Sequence, residues 1–179
     1  MREYKISKRY ARSIFSIAEE QKNIETILKD FNHVKTVVNN SKELSNLIAS
    51  PIIKPDKKCK IISEIFKENI SELTLNFLLL LTNKHRINLI IFITEHFESL
   101  INEINNRVKV LITTAVEIDS TIKSTLTDRI KEMTKKTILP SYYVDEQLKA
   151  GIKIQIEDWV YDGTLQNKIE DLYKRLAFG

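Results

Sequence analysis

The sequence predicts an α+β fold, mainly α, with an N-terminal six-helix bundle over residues 1–105 and a small α/β domain over residues 106–179. Three observations predict it. Apolar residues recur at helical spacing from Lys5 to about Asn105, whereas from Arg107 they often alternate with polar ones, as half-buried strands do. Only three glycines and three prolines occur in 179 residues, too few for a turn-rich β architecture. With 42% apolar and 29% charged residues, the composition is that of a folded chain.

The first helix is predicted over Ser7 to Gln21 and the second over Ile24 to Val38. A short third, Lys42 to Ala49, must stop at Ser50-Pro51 because a residue before proline avoids the α region. Pro55-Asp56 opens a fourth that runs to about Phe66, Ser71 with Thr74 leads a fifth through Leu81, and a sixth spans Arg86 to about Ile104. Short connections favour antiparallel neighbours. At Asn105-Asn106-Arg107 the period changes, and Val108, Val110, Ile112, Thr114 and Val116 share one face of a strand from Arg107 to Val116. Asp119 or Ser120 then caps a helix on which Ile122, Leu126, Ile130 and Met133 form a stripe. Ile138 to Val144 is a second strand, confined by Pro140 to an edge or an early position. Gly151 enters a third, where Ile152, Ile154 and Ile156 alternate with Lys153, Gln155 and Glu157. A turn at Glu157-Asp158 leads to Trp159 to Tyr161, and a last helix carries Leu165, Ile169, Leu172 and Leu176 on one face and ends at Gly179.

The net charge of +4 is spread over 28 basic and 24 acidic residues, so neither half is a polycation. Arg2, Lys5, Lys8, Arg9 and Arg12 form the densest basic cluster, but no aromatic residues interleave with a basic stripe, and nucleic-acid binding is not expected. Cys59 stands alone, which rules out an intramolecular disulfide or thiolate cluster and suits a reducing compartment; a packing role as a small buried hydrophobe is expected. The charged first twelve residues hold no secretory apolar stretch, and the runs Phe77 to Leu81 and Leu89 to Ile93 are too short to span a bilayer.

No catalytic pattern stands out. His33, His85 and His96 lack ligand spacing and are expected at surface or boundary positions. Gly151, Gly163 and Gly179 are too far apart for a phosphate-binding loop. Neither a catalytic residue, a cofactor, a metal nor a small-molecule substrate is expected; an enzyme reading would require a pocket with convergent polar groups.

Surplus apolar surface is the positive signal. On the first helix Ile6, Tyr10, Ala11, Ile14, Phe15, Ile17 and Ala18 cover roughly 180° of arc, wider than the ~100° a one-sided surface helix needs. The fifth helix is apolar nearly all round through Leu73, Leu75 and Phe77 to Leu81. If the two are neighbours, the groove they share suits an amphipathic helix from another chain.

Lys8-Arg9-Tyr10-Ala11-Arg12-Ser13-Ile14-Phe15, the Ser50-Pro51 stop, Asn76-Phe77-Leu78 followed by Arg86, Thr114-Ala115 after a strand, and Asp145-x-x-Leu148-x-Ala150-Gly151-Ile152-x-Ile154 together resemble the F-type ATP synthase delta subunit family, called OSCP in mitochondria. The resemblance runs in order from about residue 5 to 177. It departs at Lys149-Ala150, where the family carries glycine before Gly151 and an apolar residue before that, so Lys149 is expected to face solvent. The resemblance implies a non-catalytic stator subunit of the peripheral stalk that holds the F1 head to the b subunits of Fo, so that proton flow is coupled to ATP synthesis. Its N-terminal domain would bind the N-terminal helix of an alpha subunit between the first and fifth helices, with Tyr10, Ala11, Ile14, Phe15, Phe77, Leu78 and Leu81 lining the groove and Arg9 and Arg12 at its rim. Its C-terminal domain would meet the C-terminal region of b. It further implies a peripheral membrane protein on the cytoplasmic face of a bacterial plasma membrane. A stand-alone helical adaptor for a partner's amphipathic helix is the alternative reading.

Overall fold

The computed structural model describes residues 2–157, 159–167 and 169. It divides into two compact units, Met1–Ile101 and Asn102–Gly179. The mainly helical α+β class is observed, with a four-stranded sheet in the second unit.

The first unit holds α1 (Arg2–Glu20), α2 (Ile24–Asn40), α3 (Lys42–Ala49), α4 (Pro55–Phe66), α5 (Glu72–Asn83), a 3-10 turn (Ile87–Leu89) and α6, which begins at Ile90 and runs to Ile104. α1 starts five residues before the expected Ser7, because Glu3 to Ile6 include no breaker and Glu3 suits the positive end of the helix dipole. α3 and α4 have the expected bounds: Ser41 Oγ accepts from the Leu44 amide at 3.2 Å, and Pro55 sits in the first turn of α4, where its missing N–H costs nothing. The sixth helix opens as a 3-10 turn, after His85 takes a left-handed φ of 55°.

Aromatic rings from four helices make the centre of this unit. Phe31 of α2 packs edge-on against Phe97 of α6 at 5.1 Å and against Phe77 of α5 at 5.8 Å, and Phe97 meets Phe15 of α1 at 5.6 Å. Beside them Asp30 ties α2 to the start of α5. One carboxylate oxygen, Oδ2, accepts from the Ser71 amide at 2.9 Å, from Ser71 Oγ at 2.6 Å and from Thr74 Oγ1 at 2.8 Å, so a buried anion sits at a helix N-terminus. An Asp30→Ala chain should lose about 2–3 kcal/mol in urea denaturation, since three donors are left unmatched; an unchanged midpoint would show the tie to be dispensable. Lys58 is buried too, with Nζ donating to the carbonyls of Ile48 (2.9 Å) and Ser50 (2.7 Å) at the end of α3; burial pushes its ammonium pKa down. Cys59 is half-buried rather than buried, 3.6 Å from Asn83 Oδ1, because α4 turns that side only partly under α5.

The second unit is a sheet of order β2-β1-β3-β4, built from β1 (Arg107–Thr114), β2 (Thr137–Val144), β3 (Ile152–Ile156) and β4 (Trp159–Asp162). β1 and β2 run parallel, joined through α7 (Ser120–Thr134), while β3 pairs antiparallel with β1 and β4 with β3. Val108, Val110, Ile112 and Thr114 alternate inward as expected. Val116 does not join them, because Thr114 Oγ1 donates to the Val116 carbonyl at 2.8 Å and turns the chain out of the strand. Asp119 caps α7, accepting from the Ile122 amide at 2.8 Å. The expected α7 stripe is only partly buried: Ile130 packs into the core, while Ile122 is 46% and Met133 76% exposed. Pro140 sits on the edge strand β2, where a missing donor is tolerated. Leu172, Leu176 and Gly179 of the expected last helix, and Asp158 of the expected turn, lie outside the described residues.

Candidate partner-binding seam

α1 and α5 are neighbours through their side chains. The rings of Tyr10 and Phe77 meet edge-on at 6.2 Å, and Arg86, just past α5, donates from Nη1 to Tyr10 Oη at 2.9 Å with its guanidinium 5.5 Å from the ring centre. Of the seven residues expected to line a groove here, only Tyr10 is half-exposed. Ala11, Ile14, Phe15, Phe77, Leu78 and Leu81 are all at or below 9% exposure and belong to the core. The reason lies in the width of the apolar arcs. The middle of the α1 arc (Ala11, Ile14, Ala18) and of the α5 arc (Thr74, Leu78, Leu81) is occupied by the unit's own packing, and only the flanks are open.

Those flanks are apolar. At 100° per residue Ile6, Tyr10 and Ile17 fall on one strip of α1, and Leu73, Phe77 and Leu80 on one strip of α5. The Tyr10–Phe77 contact brings the two strips alongside each other. Ile17 is 40% and Leu80 46% exposed, while Ile6, Tyr10 and Leu73 pack half-buried against the core. The result is a seam with an aromatic floor and aliphatic edges, suited to receive one face of an amphipathic helix. Arg9 and Arg12 are exposed on α1. The exposure of Leu80 and Ile17 was not assignable from sequence; the signal available there was only that both arcs were too wide.

On the other flank of α1, Tyr4 stacks edge-on against His96 of α6 at 4.6 Å. Burial, and secondarily Lys8, pushes the His96 pKa down, with Glu95 partly opposing. The folded pKa then lies below the unfolded value of about 6.5, so the contribution of neutral His96 is complete above that pH and is lost as pH falls through the folded pKa. Between about pH 7.5 and 5.5 the urea midpoint of the wild type should therefore fall more than that of His96→Gln; parallel curves would sink this assignment. His33 and His85 are exposed. Among the described residues no group of three His, Cys, Asp or Glu side chains is placed to hold a metal ion, and no helix is long and apolar enough to cross a membrane.

The model of the family described as ATP synthase delta (OSCP) subunit matches residues 6–176. The chain belongs to that family. A protein named ATP synthase subunit delta from Chlorobium chlorochromatii is 33% identical over 171 residues, covering 96% of both chains, and one of the same name from Desulforamulus reducens is 30% identical, covering 96% of this chain and 94% of its own. In solved structures the fold recurs in a chain of the Toxoplasma gondii mitochondrial ATP synthase hexamer, with a TM-score of 0.77 at 15% identity over 97% of this chain and 98% of that one. A chain of the Polytomella F-ATP synthase matches with a TM-score of 0.51 at 20% identity over 53% of this chain and 84% of its own. As a delta/OSCP subunit the chain is a structural component of the peripheral stalk of an F-type ATP synthase, a multi-subunit, membrane-associated complex, and is not itself catalytic.

Proposed function

We propose that the first unit works as a six-helix bundle that seats the N-terminal helix of an F1 alpha subunit on the α1–α5 seam, and that the second unit holds the C-terminal region of b. The observation that carries the first half is the seam itself, in the first unit of a stalk subunit: Tyr10 meets Phe77, and exposed Ile17 and Leu80 lie on the same strips of α1 and α5. A stator must resist torque without catalysing anything. A helix laid along two others does this well, because its apolar anchors are spread over several turns and must be pulled out together. Exposed Arg9 and Arg12 favour a partner of opposite charge and speed encounter more than they strengthen the final complex. The cytoplasmic face of a bacterial plasma membrane is the proposed location, supported by relatives of 30–33% identity from Desulforamulus and Chlorobium.

The test is a calorimetric titration of the full chain with a peptide of the alpha N-terminal sequence from the same enzyme. Saturable one-to-one binding with a negative heat-capacity change, the mark of apolar burial, is expected. A peptide that does not bind would overturn the assignment of the seam.

A further inference from the structure

Arg86 is fixed at both ends in the free chain. At its backbone, α5 closes with a turn in which His85 takes the left-handed φ of 55°, the His85 amide donates to the Thr82 carbonyl at 3.0 Å, and the Arg86 amide reaches back to the Leu81 carbonyl at 2.8 Å. That turn ends the helix and holds Arg86 against it. At its side chain, Nη1 donates to Tyr10 Oη at 2.9 Å, and the guanidinium stands 5.5 Å from the ring centre. The other edge, Nε with Nη2, presents two parallel N–H groups that donate to nothing among the described residues, and no carboxylate among them pairs with this cation. The Tyr10 hydroxyl accepts from Arg86 and keeps its own proton to give.

We propose that Arg86 and Tyr10 form a carboxylate-reading site on the α1–α5 seam, and that the helix seated there carries an Asp or Glu side chain beside its apolar anchors. This site rests on the seam being where the alpha helix lies. Arg86 is half-buried, and Tyr10, which anchors it, meets Phe77 in the seam floor. A helix laid over those rings strips water from the guanidinium. A cation that loses water without gaining an anion is costly, so a partner with a neutral or basic residue at that point is disfavoured. A carboxylate instead meets a planar fork whose spacing matches its two oxygens. Because Tyr10 already orients that fork, little side-chain freedom is lost when the pair forms. The surroundings agree in sign: exposed Arg9 precedes Tyr10 on α1, and exposed Lys84 precedes the turn that holds Arg86. The apolar strips of Ile17 and Leu80 set how firmly an amphipathic helix is held, whereas Arg86 sets which helix is accepted.

The test uses the full chain and the alpha N-terminal peptide of the same enzyme, with each Asp and Glu of the peptide replaced in turn by its amide. Against the unaltered chain, one replacement should weaken binding by about tenfold or more and the others little. Nothing in the protein is changed in that arm, so its folding is not in play. Arg86→Met should weaken binding of the unaltered peptide by a similar factor and barely affect the peptide with the decisive amide, because both substitutions remove the same pair. Tyr10→Phe should weaken the acidic peptide and not its amide, the mark of a residue that orients Arg86 rather than one that only packs. Arg86→Glu combined with a lysine at the decisive peptide position should recover binding that either change alone loses. If the peptide binds and is weakened by Ile17→Glu and Leu80→Glu, yet every amide and Arg86→Met bind like wild type or act additively, the carboxylate site is overturned and the seam stands. If the unaltered peptide does not bind, the seam falls and this site with it.

Discussion

A Gly151→Ala chain should lose about 3–5 kcal/mol of stability in the second unit, read as a lowered urea midpoint of Trp159 fluorescence. Gly151 has φ of +102°, a region an L-residue enters only at a cost of about 1–3 kcal/mol. The larger part is steric. A Cβ there would stand 2.6 Å from the Gly163 carbonyl oxygen and 2.7 Å from Thr164 Cα, both of them backbone atoms that no rotamer change can move. This crossing brings the start of β3 against the chain leaving β4, through the hydrogen bonds Gly163 to Ile152 and Leu165 to Ala150. Gly163→Ala is the control: its Cβ would meet the movable Tyr161 ring at 3.0 Å and the Ile152 carbonyl at 3.1 Å, and a smaller loss of about 1 kcal/mol is expected. Equal losses at the two glycines would show that the crossing does not set the stability of the sheet.

The same crossing explains why Asp145-x-x-Leu148-x-Ala150-Gly151-Ile152 could be read from sequence as a specific mark without its cause being visible. Asp145 caps the short turn Glu146–Leu148 by accepting from the Gln147 amide at 3.0 Å, Lys149 takes a φ of +57° and faces solvent as expected, and Gly151 alone answers to a segment twelve residues later. Local chemistry was legible throughout. Ser50-Pro51 and Pro55 fix helix ends through their own backbone preferences, Ser71 and Asp119 through side-chain caps, and α3 and α4 have the bounds predicted for them. What needs a distant partner was not legible. Asp30 reads as one more charged residue on α2 until Ser71 and Thr74, 41 and 44 positions away, arrive beside it. The α7 stripe could be read as apolar but not as half-open, because a period reports which side is apolar and not how much of it is covered: Ile130 is buried while Ile122 and Met133 are exposed. The same limit applies to the candidate site. The width of the apolar arcs of α1 and α5 was legible, but not that in the free chain their centres pack around Phe31 and Phe97.

Ile17→Glu and Leu80→Glu should each weaken binding of the alpha N-terminal peptide by about tenfold or more while leaving the urea midpoint of the first unit nearly unchanged. Both side chains are already two-fifths or more exposed, so a carboxylate there is solvated in the free chain and buried only when the partner helix covers it. Leu78→Ala separates this from a general loss of packing. Leu78 is 1% exposed in the core, and its truncation should cost about 2–5 kcal/mol of stability yet alter the affinity of the chains that remain folded little. Tyr10→Phe tests the floor: it keeps the ring against Phe77 and removes the Oη that accepts from Arg86, freeing that guanidinium beside the seam. If affinity follows the seam residues and not Leu78, the apolar flanks hold the alpha helix. If instead Leu78→Ala abolishes binding with stability intact while both glutamates bind like wild type, the partner must enter between α1 and α5 by displacing the core, and the seam described by the exposed residues is not where the head is held.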